Sequence, residues 1–519
     1  MSNRILLLFG LAGLILYVFV GMFQSAPGYM DADYYFAGGI QLVSGNGFTE
    51  PYLWNYLDDP EGLPHSSHSY WMPLTSIVAA FGMIITNSTS WPAARIGFLL
   101  VAILIPPLTS QLAYSITPRR DLASISGLLA LFSGLYLPFL AVSDSFSLYM
   151  VFGGIFLLIL GKPLSYPRAL FLGILAGLMH LTRADGIIWL FIAILAVFLK
   201  KEKATSQQNF TITIIFVLIG YFLLMGPWFA RNVSVFGTLL APGGTRLFWL
   251  TRYDEIFSYP ASQLSMSSWL QSGWDHIFKT WLWALGINLA NTLTVQGAVF
   301  LFPLILLGVW ELRRDMRIVL GLVGWVLLMG MMTILFPYAG ARGGFFHAGS
   351  AFQPLWWAIA PLGLERVVRW GARRRGWVVS STHRIFHTML VGLAVLTTVF
   401  VFVSRVWGGG GDAGWDRERI LYSKVEQFIL STGGSPDAVV IIANPPGYYL
   451  VSGRPAIVVP DGSVDTIFAL ARRYGAQYLV LEEGSIPIGL IDAYASQDNI
   501  QGLPILGEVN EAKIYAIRP

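Results

Sequence analysis

Long apolar runs recur along this chain, most of them closed by a short cluster of Arg and Lys, and that alternation makes a lipid bilayer the solvent for most of its residues. Only 12% of the residues are charged and 55% are hydrophobic, whereas a soluble domain carries about 25% charged residues. The clusters are Arg119-Arg120, Lys162 with Arg168, Lys200-Lys201-Lys203, Arg313-Arg314-Arg317, and the stretch from Arg366 through Arg373-Arg374-Arg375 to Arg384. Loop Lys and Arg favour the cytoplasmic side, so all five are expected inside. Apolar runs at 5–24, 96–116, 122–142, 145–161, 169–181, 187–199, 210–227, 294–311, 317–336, 352–368 and 385–404 then give about eleven crossings, with the N-terminus cytoplasmic. The formal net charge of +4 is thereby used in orienting helices, and no nucleic-acid partner is expected. The first run, after Arg4, is long enough to span and reads as an uncleaved helix. With no cysteine, disulfide and thiolate chemistry are excluded.

One segment tests the threading. If 169–199 were a single helix, either Lys162/Arg168 or Lys200-Lys201-Lys203 would lie outside, so it reads as a hairpin with Thr182-Arg183-Ala184-Asp185-Gly186 at its outer tip. Arms of roughly 20 Å are shorter than a hydrocarbon core of about 30 Å, which sinks an Arg and an Asp below the outer surface. The first outer loop, from about Gln24 to Pro92, is too long for a connector. It holds a helical pattern over 33–43 and an apolar stretch 71–85, both read as helices lying at the interface. A second outer loop, 227–291, carries an aromatic segment over 269–289, and a third, 336–351, contains Arg342 and His347. From Asp412 the composition turns soluble, with helices expected at 416–431 and 464–474 and strands at 438–443, 456–459, 477–482 and 512–517. The expected architecture is a polytopic α-helical membrane body over 1–405, plus a small extracytoplasmic α/β domain over 412–519 that lacks a nucleotide motif.

Polar groups gather in the outer segments. Asp31 and Asp33, in Asp31-Ala32-Asp33-Tyr34-Tyr35, follow the first crossing, where a carboxylate can deprotonate an acceptor or simply cap a helix. Asp144, in Val142-Ser143-Asp144-Ser145, either caps the fourth crossing or converges with Asp31 to share an acceptor. Several basic residues defy the positive-inside pattern: Arg95, Arg183, Arg231, Arg246, Arg252 and Arg342, with His347 beside them. A charge at membrane depth costs about 2.5–3.5 kcal/mol on insertion scales, so an anion should meet it, either a lipid phosphate or an outer carboxylate such as Asp185. Arg183 and Arg342 are the preferred phosphate ligands, with Arg246 and His347 as further members. His65 and His68 form an HxxH that lacks the adjacent Glu of a zinc helix and reads as part of a substrate cleft, with no metal assigned. Tyr70 and Trp71 could stack on a sugar face or belong to an interfacial belt. No cofactor is called for. A divalent cation shared by Asp31 and Asp144 is an option that scattered carboxylates do not by themselves argue for.

Together these residues carry a resemblance. Asp31-Ala32-Asp33-Tyr34-Tyr35, Gly45-Asn46-Gly47-Phe48-Thr49, Tyr70-Trp71-Met72-Pro73-Leu74, Leu181-Thr182-Arg183-Ala184-Asp185-Gly186, Gly226-Pro227-Trp228 with Arg231-Asn232, and Phe345-Phe346-His347 before Pro354 resemble GT-C class membrane glycosyltransferases. The likeness is to prokaryotic relatives of the protein O-mannosyltransferases and of the aminoarabinose transferase that modifies lipid A. It implies an inverting transferase of a prokaryotic plasma membrane, moving a sugar from a polyprenyl-phosphate carrier to a glycan, lipid or protein acceptor on the outer face. Asp31 then stands where the family has its leading catalytic Asp. The mannosyltransferases follow it with Glu; here Ala32 takes that place and Asp33 supplies another acid, so the division of labour between Asp31 and Asp33 stays open. A transporter or flippase would more often show repeated halves and short loops. An outer-face polymerase, ligase or oligosaccharyltransferase would use a pyrophosphate-linked donor instead.

Overall fold

The computed structural model describes residues 1–200, 209–376, 378–408, 414–495, 502–510 and 512–518. Lys201 and Lys203 of the third basic cluster, and Asp412 at the expected start of the tail, lie outside the described residues. The first ten helices are α1 (Asn3–Gly21), α2 (Met30–Val43), α3 (Leu74–Thr86), α4 (Trp91–Ala102), α5 (Ile105–Ile116), α6 (Arg120–Leu131), α7 (Phe146–Leu160), α8 (Tyr166–Thr182), α9 (Ile187–Lys200) and α10 (Phe210–Phe236). The chain divides into two compact units.

The first unit gathers Met1–Phe23, Arg95–Arg231 and Thr280–Trp407. Among the described residues, five helices are long and apolar enough to cross a bilayer: Asn3–Gly21, Trp91–Ile116, Phe210–Phe236, Met316–Leu335 and Ser381–Trp407. The most apolar windows of α1, α10 and Ser381–Trp407 are only 22%, 28% and 22% buried, leaving side chains such as Leu7, Leu223 and Phe400 exposed. Apolar faces of that extent are stable only against lipid, so the chain is an integral membrane protein. Two apolar runs do not form the single helices that hydropathy suggests. Run 122–142 stops at Leu131, because Phe132 leaves the helical region (φ −92°, ψ 68°), Gly134 sits at φ +60°, and Pro138 lies in a short 3₁₀ turn, Gly134–Phe139. Run 294–311 is broken in the middle: a π-helical turn over Thr292–Gln296 prolongs the preceding helix, Ala298 and Val299 take positive φ, and the α-helix resumes over Phe302–Glu311.

The hairpin, in contrast, forms. α8 ends at Thr182, Arg183 is extended (φ −151°, ψ 142°), and α9 folds back to pack on α8. α8 also crosses α10 at backbone distance: a Cβ added to Gly173 would lie 2.0 Å from the Val217 carbonyl oxygen, and one added to Gly220 would lie 2.1 Å from that of Leu170. Small residues at a lipid-phase crossing allow such approach. Gly220→Val should therefore force the pair apart and destabilise the unit by about 1–3 kcal/mol, the usual cost of overpacking. Thermal unfolding in detergent checks this, and an unchanged melting temperature would contradict it.

Members of three of the basic clusters are paired within this unit. Arg119 pairs with Glu365 at 2.6 Å, Arg366 pairs with Glu311, and Arg317 pairs with Asp315 at 2.5 Å and donates to Ser115 Oγ at 2.8 Å.

The second unit gathers Gln24–Ala94, Asn232–Lys279 and Gly408–Pro519, so the compact unit that holds the tail is wider than 412–519. Short strands β1 (Thr49–Glu50) and β3 (His65–Ser66) pair antiparallel. The remaining strands, β2 (Tyr52–Leu53), β4 (Val439–Ile442), β5 (Ala456–Val458), β6 (Ala476–Glu482), β7 (Ile505–Val509) and β8 (Ala512–Ala516), form one sheet in the order β2-β5-β4-β6-β8-β7. β2, β5, β4 and β6 are parallel, whereas β8 pairs antiparallel with β6 and β7 antiparallel with β8. The expected tail helices occur as Arg417–Ser431 and Val464–Tyr474. The helix Pro445–Ser452 and strand β7 are additional, and β2 comes from the first outer loop, a pairing across some 400 residues of sequence that no local pattern announces.

Candidate functional site

In the membrane unit, α7 begins just after Asp144, and the segment before Gln353–Arg375 is bent: Arg342 leaves helical geometry and Gly343 sits at φ +125°. A Cβ is strained at that φ, so glycine there permits the bend that presents His347. His347 Nδ1 lies 2.9 Å from the Gly343 carbonyl oxygen and Nε2 lies 3.1 Å from Asp144 Oδ2. Both ring nitrogens thus face oxygens that accept. Whichever ring nitrogen carries a proton, the imidazole is held between these two oxygens. Asp144 is buried, its other oxygen accepts from Ser145 N and Oγ, and the Phe146 ring stacks on the imidazole at 4.3 Å. Asp144 is therefore not a helix cap; it is the partner of His347. A carboxylate and an imidazole side by side are donor types that a divalent cation also accepts.

Next to this pair lies the hairpin tip. Arg183 donates from Nε (2.9 Å) and Nη2 (2.7 Å) to Asp185 Oδ2, and from Nη2 to the Gly344 carbonyl oxygen at 3.3 Å. Tyr149, one turn into α7, donates to Asp185 Oδ1 at 2.7 Å. The bend at 343–347 thus touches both Arg183 and, through His347, Asp144. Arg183, Asp185, Tyr149, His347 and Asp144 form one cluster within the unit. Tyr149 was not singled out by sequence; in an apolar run it reads as one more span residue. Arg342 is exposed at the same bend. Two other discordant arginines have structural uses. Arg95 donates to the carbonyl oxygens of Ala141 (2.9 Å) and Gly21 (2.8 Å), clasping two chain segments, and Arg231 lies over the Trp228 ring at 4.8 Å.

In the second unit, Asp31 is the second residue of α2, half-buried, with Tyr29 in the capping position. A first-turn acid there is favoured by the helix dipole without serving as the cap. Asp33, one helical step deeper, is buried and accepts from Asn444 Nδ2 at 2.9 Å. Burial, then Glu418 and Asp31 nearby, push its carboxyl well above the usual range. Arg246 donates to the Leu57 carbonyl oxygen, and Arg252 pairs with Asp461 at 2.5 Å, so each is engaged within this unit.

His65 and His68 do not converge on a shared point. His68 lies 3.0 Å from Ser76 Oγ and 2.7 Å from Ser67 Oγ. His65 lies 3.1 Å from Glu50 and 3.6 Å from Asp58. Both histidines are buried, in the packing of the first loop and not on an open cleft wall. Trp71 stacks on Trp54 at 3.9 Å, and Tyr70 meets Trp54 edge-on. Burial opposes the charge on His65, but Glu50 and Asp58 outweigh it and hold the imidazole up to about 10. A raised folded pKa means that the folded form keeps a proton the unfolded chain releases near 6.5. The stabilisation is therefore complete below about 6.5 and lost as pH climbs towards about 10. The melting temperature should fall across that window, and His65→Gln should flatten the fall. An equally steep decline in the variant would remove His65 as its source.

No protein-family model and no curated protein sequence matches the chain. Solved structures do. The apo oligosaccharyltransferase of Archaeoglobus fulgidus superposes with a TM-score of 0.58 at 13% identity, over 92% of this chain and 69% of that one. The archaeal oligosaccharyltransferase AglB from Archaeoglobus fulgidus, in complex with an inhibitory peptide and a dolichol-phosphate, gives 0.56 at 14% identity, with the same coverage. ArnT from Cupriavidus metallidurans bound to undecaprenyl phosphate gives 0.53 at 11% identity, over 99% of this chain and 98% of that one. The chain has the GT-C fold. ArnT is of nearly the same length as this chain, whereas the oligosaccharyltransferase is longer.

Proposed function

We propose that this GT-C protein transfers a sugar from a polyprenyl-phosphate carrier to an acceptor at the outer face of a prokaryotic plasma membrane. The observation that carries the reading is the cluster of Arg183, Asp185, Tyr149, His347 and Asp144, ionisable groups gathered in a membrane unit of GT-C fold. Such groups are costly in a bilayer and mark function by default. The fold's solved neighbours support the donor class, one of them bound to undecaprenyl phosphate and another to a dolichol-phosphate.

In the proposed reaction the acceptor oxygen or nitrogen attacks the anomeric carbon, and the bond from that carbon to the phosphate oxygen breaks with inversion. Its electron pair leaves on the lipid phosphate. Asp31 takes the acceptor's proton. A phosphate leaving group needs charge stabilisation and no general acid, so one carboxylate base with cations suffices. Arg183 and Arg342 hold the departing phosphate, Asp185 fixes the plane of the Arg183 guanidinium, and Asp144 with His347 orients sugar or acceptor. No cofactor enters the scheme. Eleven crossings, with the N-terminus and the basic clusters inside and the second unit outside, complete the proposal. Because the chain is free of cysteine, Arg120→Cys tests that orientation: an impermeant thiol reagent should reach it only from the cytoplasmic side, and labelling from outside would reverse the threading.

The test of donor class is to offer the protein, in lipid nanodiscs with envelope acceptors, a radiolabelled sugar on polyprenyl phosphate and on polyprenyl pyrophosphate. Transfer from the monophosphate alone is expected. Use of the pyrophosphate alone would make the protein an oligosaccharyltransferase or ligase, and movement of intact donor across the bilayer without cleavage would make it a flippase.

A further inference from the structure

The sheet of the second unit has a topological switch point. The chain runs from β4 to β5 on one side, then crosses to β6 on the other, and in open parallel sheets the crevice beyond the carboxyl ends of such strands is where ligands bind. Asn444 follows β4 there and Glu482 ends β6. The place is occupied by the protein's own first-loop helix. Asn444 Nδ2 donates to Asp33 Oδ2 at 2.9 Å and to Glu418 Oε2 at 2.7 Å, while its Oδ1 accepts from Gly447 N at 3.0 Å, which fixes the amide's orientation. A Cβ added to Gly447 would lie 2.8 Å from Asp33 Oδ2, so glycine is what lets helix Pro445–Ser452 close on α2. Farther along α2, Gln41 donates to Tyr449 Oη at 2.9 Å.

The segment ahead of α2 is held by the same tail. Trp415 Nε1 donates to the Ala26 carbonyl oxygen at 3.0 Å, and Ser25 donates from N (3.1 Å) and Oγ (2.5 Å) to Asp416. Gly28, at φ +94°, lies where any Cβ would meet the Trp415 indole. Asp31 therefore sits between two anchors, Ser25-Ala26 before it and Asp33 after it, both supplied by the tail.

We infer that the tail is a positioning device for the first-loop acidic motif, with Asn444 acting through Asp33 as a positioning residue that sets Asp31. The inference rests on the proposed role of Asp31 as base. It also divides labour between the two acids: Asp31 faces the chemistry and Asp33 is the handle. Burial keeps Asp33 and Glu418 towards their protonated forms, which lets one amide serve both.

The test is an exchange of partners. Asn444→Asp keeps the oxygen that accepts from Gly447 but replaces the donating amide with a third acid beside Asp33 and Glu418. Adding Asp33→Asn returns an amide from the other side. For the full-length protein in nanodiscs, Asn444→Asp should lower kcat by about ten- to a hundredfold, the scale of a misplaced catalytic group, with KM for the polyprenyl-phosphate sugar unchanged. The double variant should regain most of the loss. Amide hydrogen exchange over residues 25–35 should quicken in the single variant and slow again in the double. Wild-type kcat in Asn444→Asp, a loss that the second substitution does not repair, or unchanged exchange over 25–35 would each overturn the inference. If the wild-type protein transfers no sugar, the proposed function fails, and the exchange measurement alone then decides whether the tail holds this segment.

Discussion

Asp31→Asn is expected to abolish sugar transfer while leaving the protein folded, inserted and able to bind its lipid donor. An amide at that position has nearly the shape of the carboxylate but cannot accept the acceptor's proton, and a general base is worth roughly 10²–10⁴ in rate. Little structure should be lost. Asp31 is half-buried in the first turn of α2 with Tyr29 in the capping position, and an amide in its place weakens the interaction with the helix dipole by about 0.3–1 kcal/mol. Turnover in membranes, with donor binding and melting measured alongside, separates the effects. Near-normal turnover would eliminate Asp31 as the base.

Arg183 carries the second large effect, and it has two parts that come apart experimentally. Arg183→Ala removes a guanidinium proposed to stabilise the departing phosphate, a contribution comparable to an oxyanion donor at about 10²–10³ in rate. It also strips Asp185, whose side chain is 6% exposed, of its cation, and breaking a buried pair on one side costs about 3–5 kcal/mol. Adding Asp185→Asn removes the stranded charge while Tyr149 can still donate to the remaining carbonyl oxygen. Melting of the double variant should return most of the way to wild type, whereas transfer should not return at all. Recovery of both would reduce Arg183 to a structural counter-ion of Asp185. Arg183→Lys keeps the charge but loses the planar fork, and should raise KM for the donor.

What the sequence made legible follows from the physics of each feature. Hydropathy and the basic clusters located the helices because insertion depends on local composition, and the hairpin at Arg183 emerged from charge alone. The break after Leu131 and the turn at Ala298-Val299 stayed hidden, since backbone reversals inside apolar runs leave hydropathy unchanged. Arg183, Asp144 and His347 stood out in the sequence because they are ionisable residues discordant with their surroundings. Tyr149 and Asn444 are ordinary in their local context and gain meaning only through partners 36 and 411 positions away. For the same reason His65 and His68, three residues apart in sequence and suggestive as a pair, turn to different partners once β3, which contains His65, pairs with β1.

The most direct measurement is the stereochemistry and stoichiometry of one turnover by the purified protein given a polyprenyl-phosphate sugar of defined anomeric configuration. One free polyprenyl phosphate is expected for each sugar transferred, with a product of opposite configuration at the anomeric carbon. Retained configuration, or sugar that remains bonded to its lipid while the carrier changes leaflet, would contradict the proposed reaction.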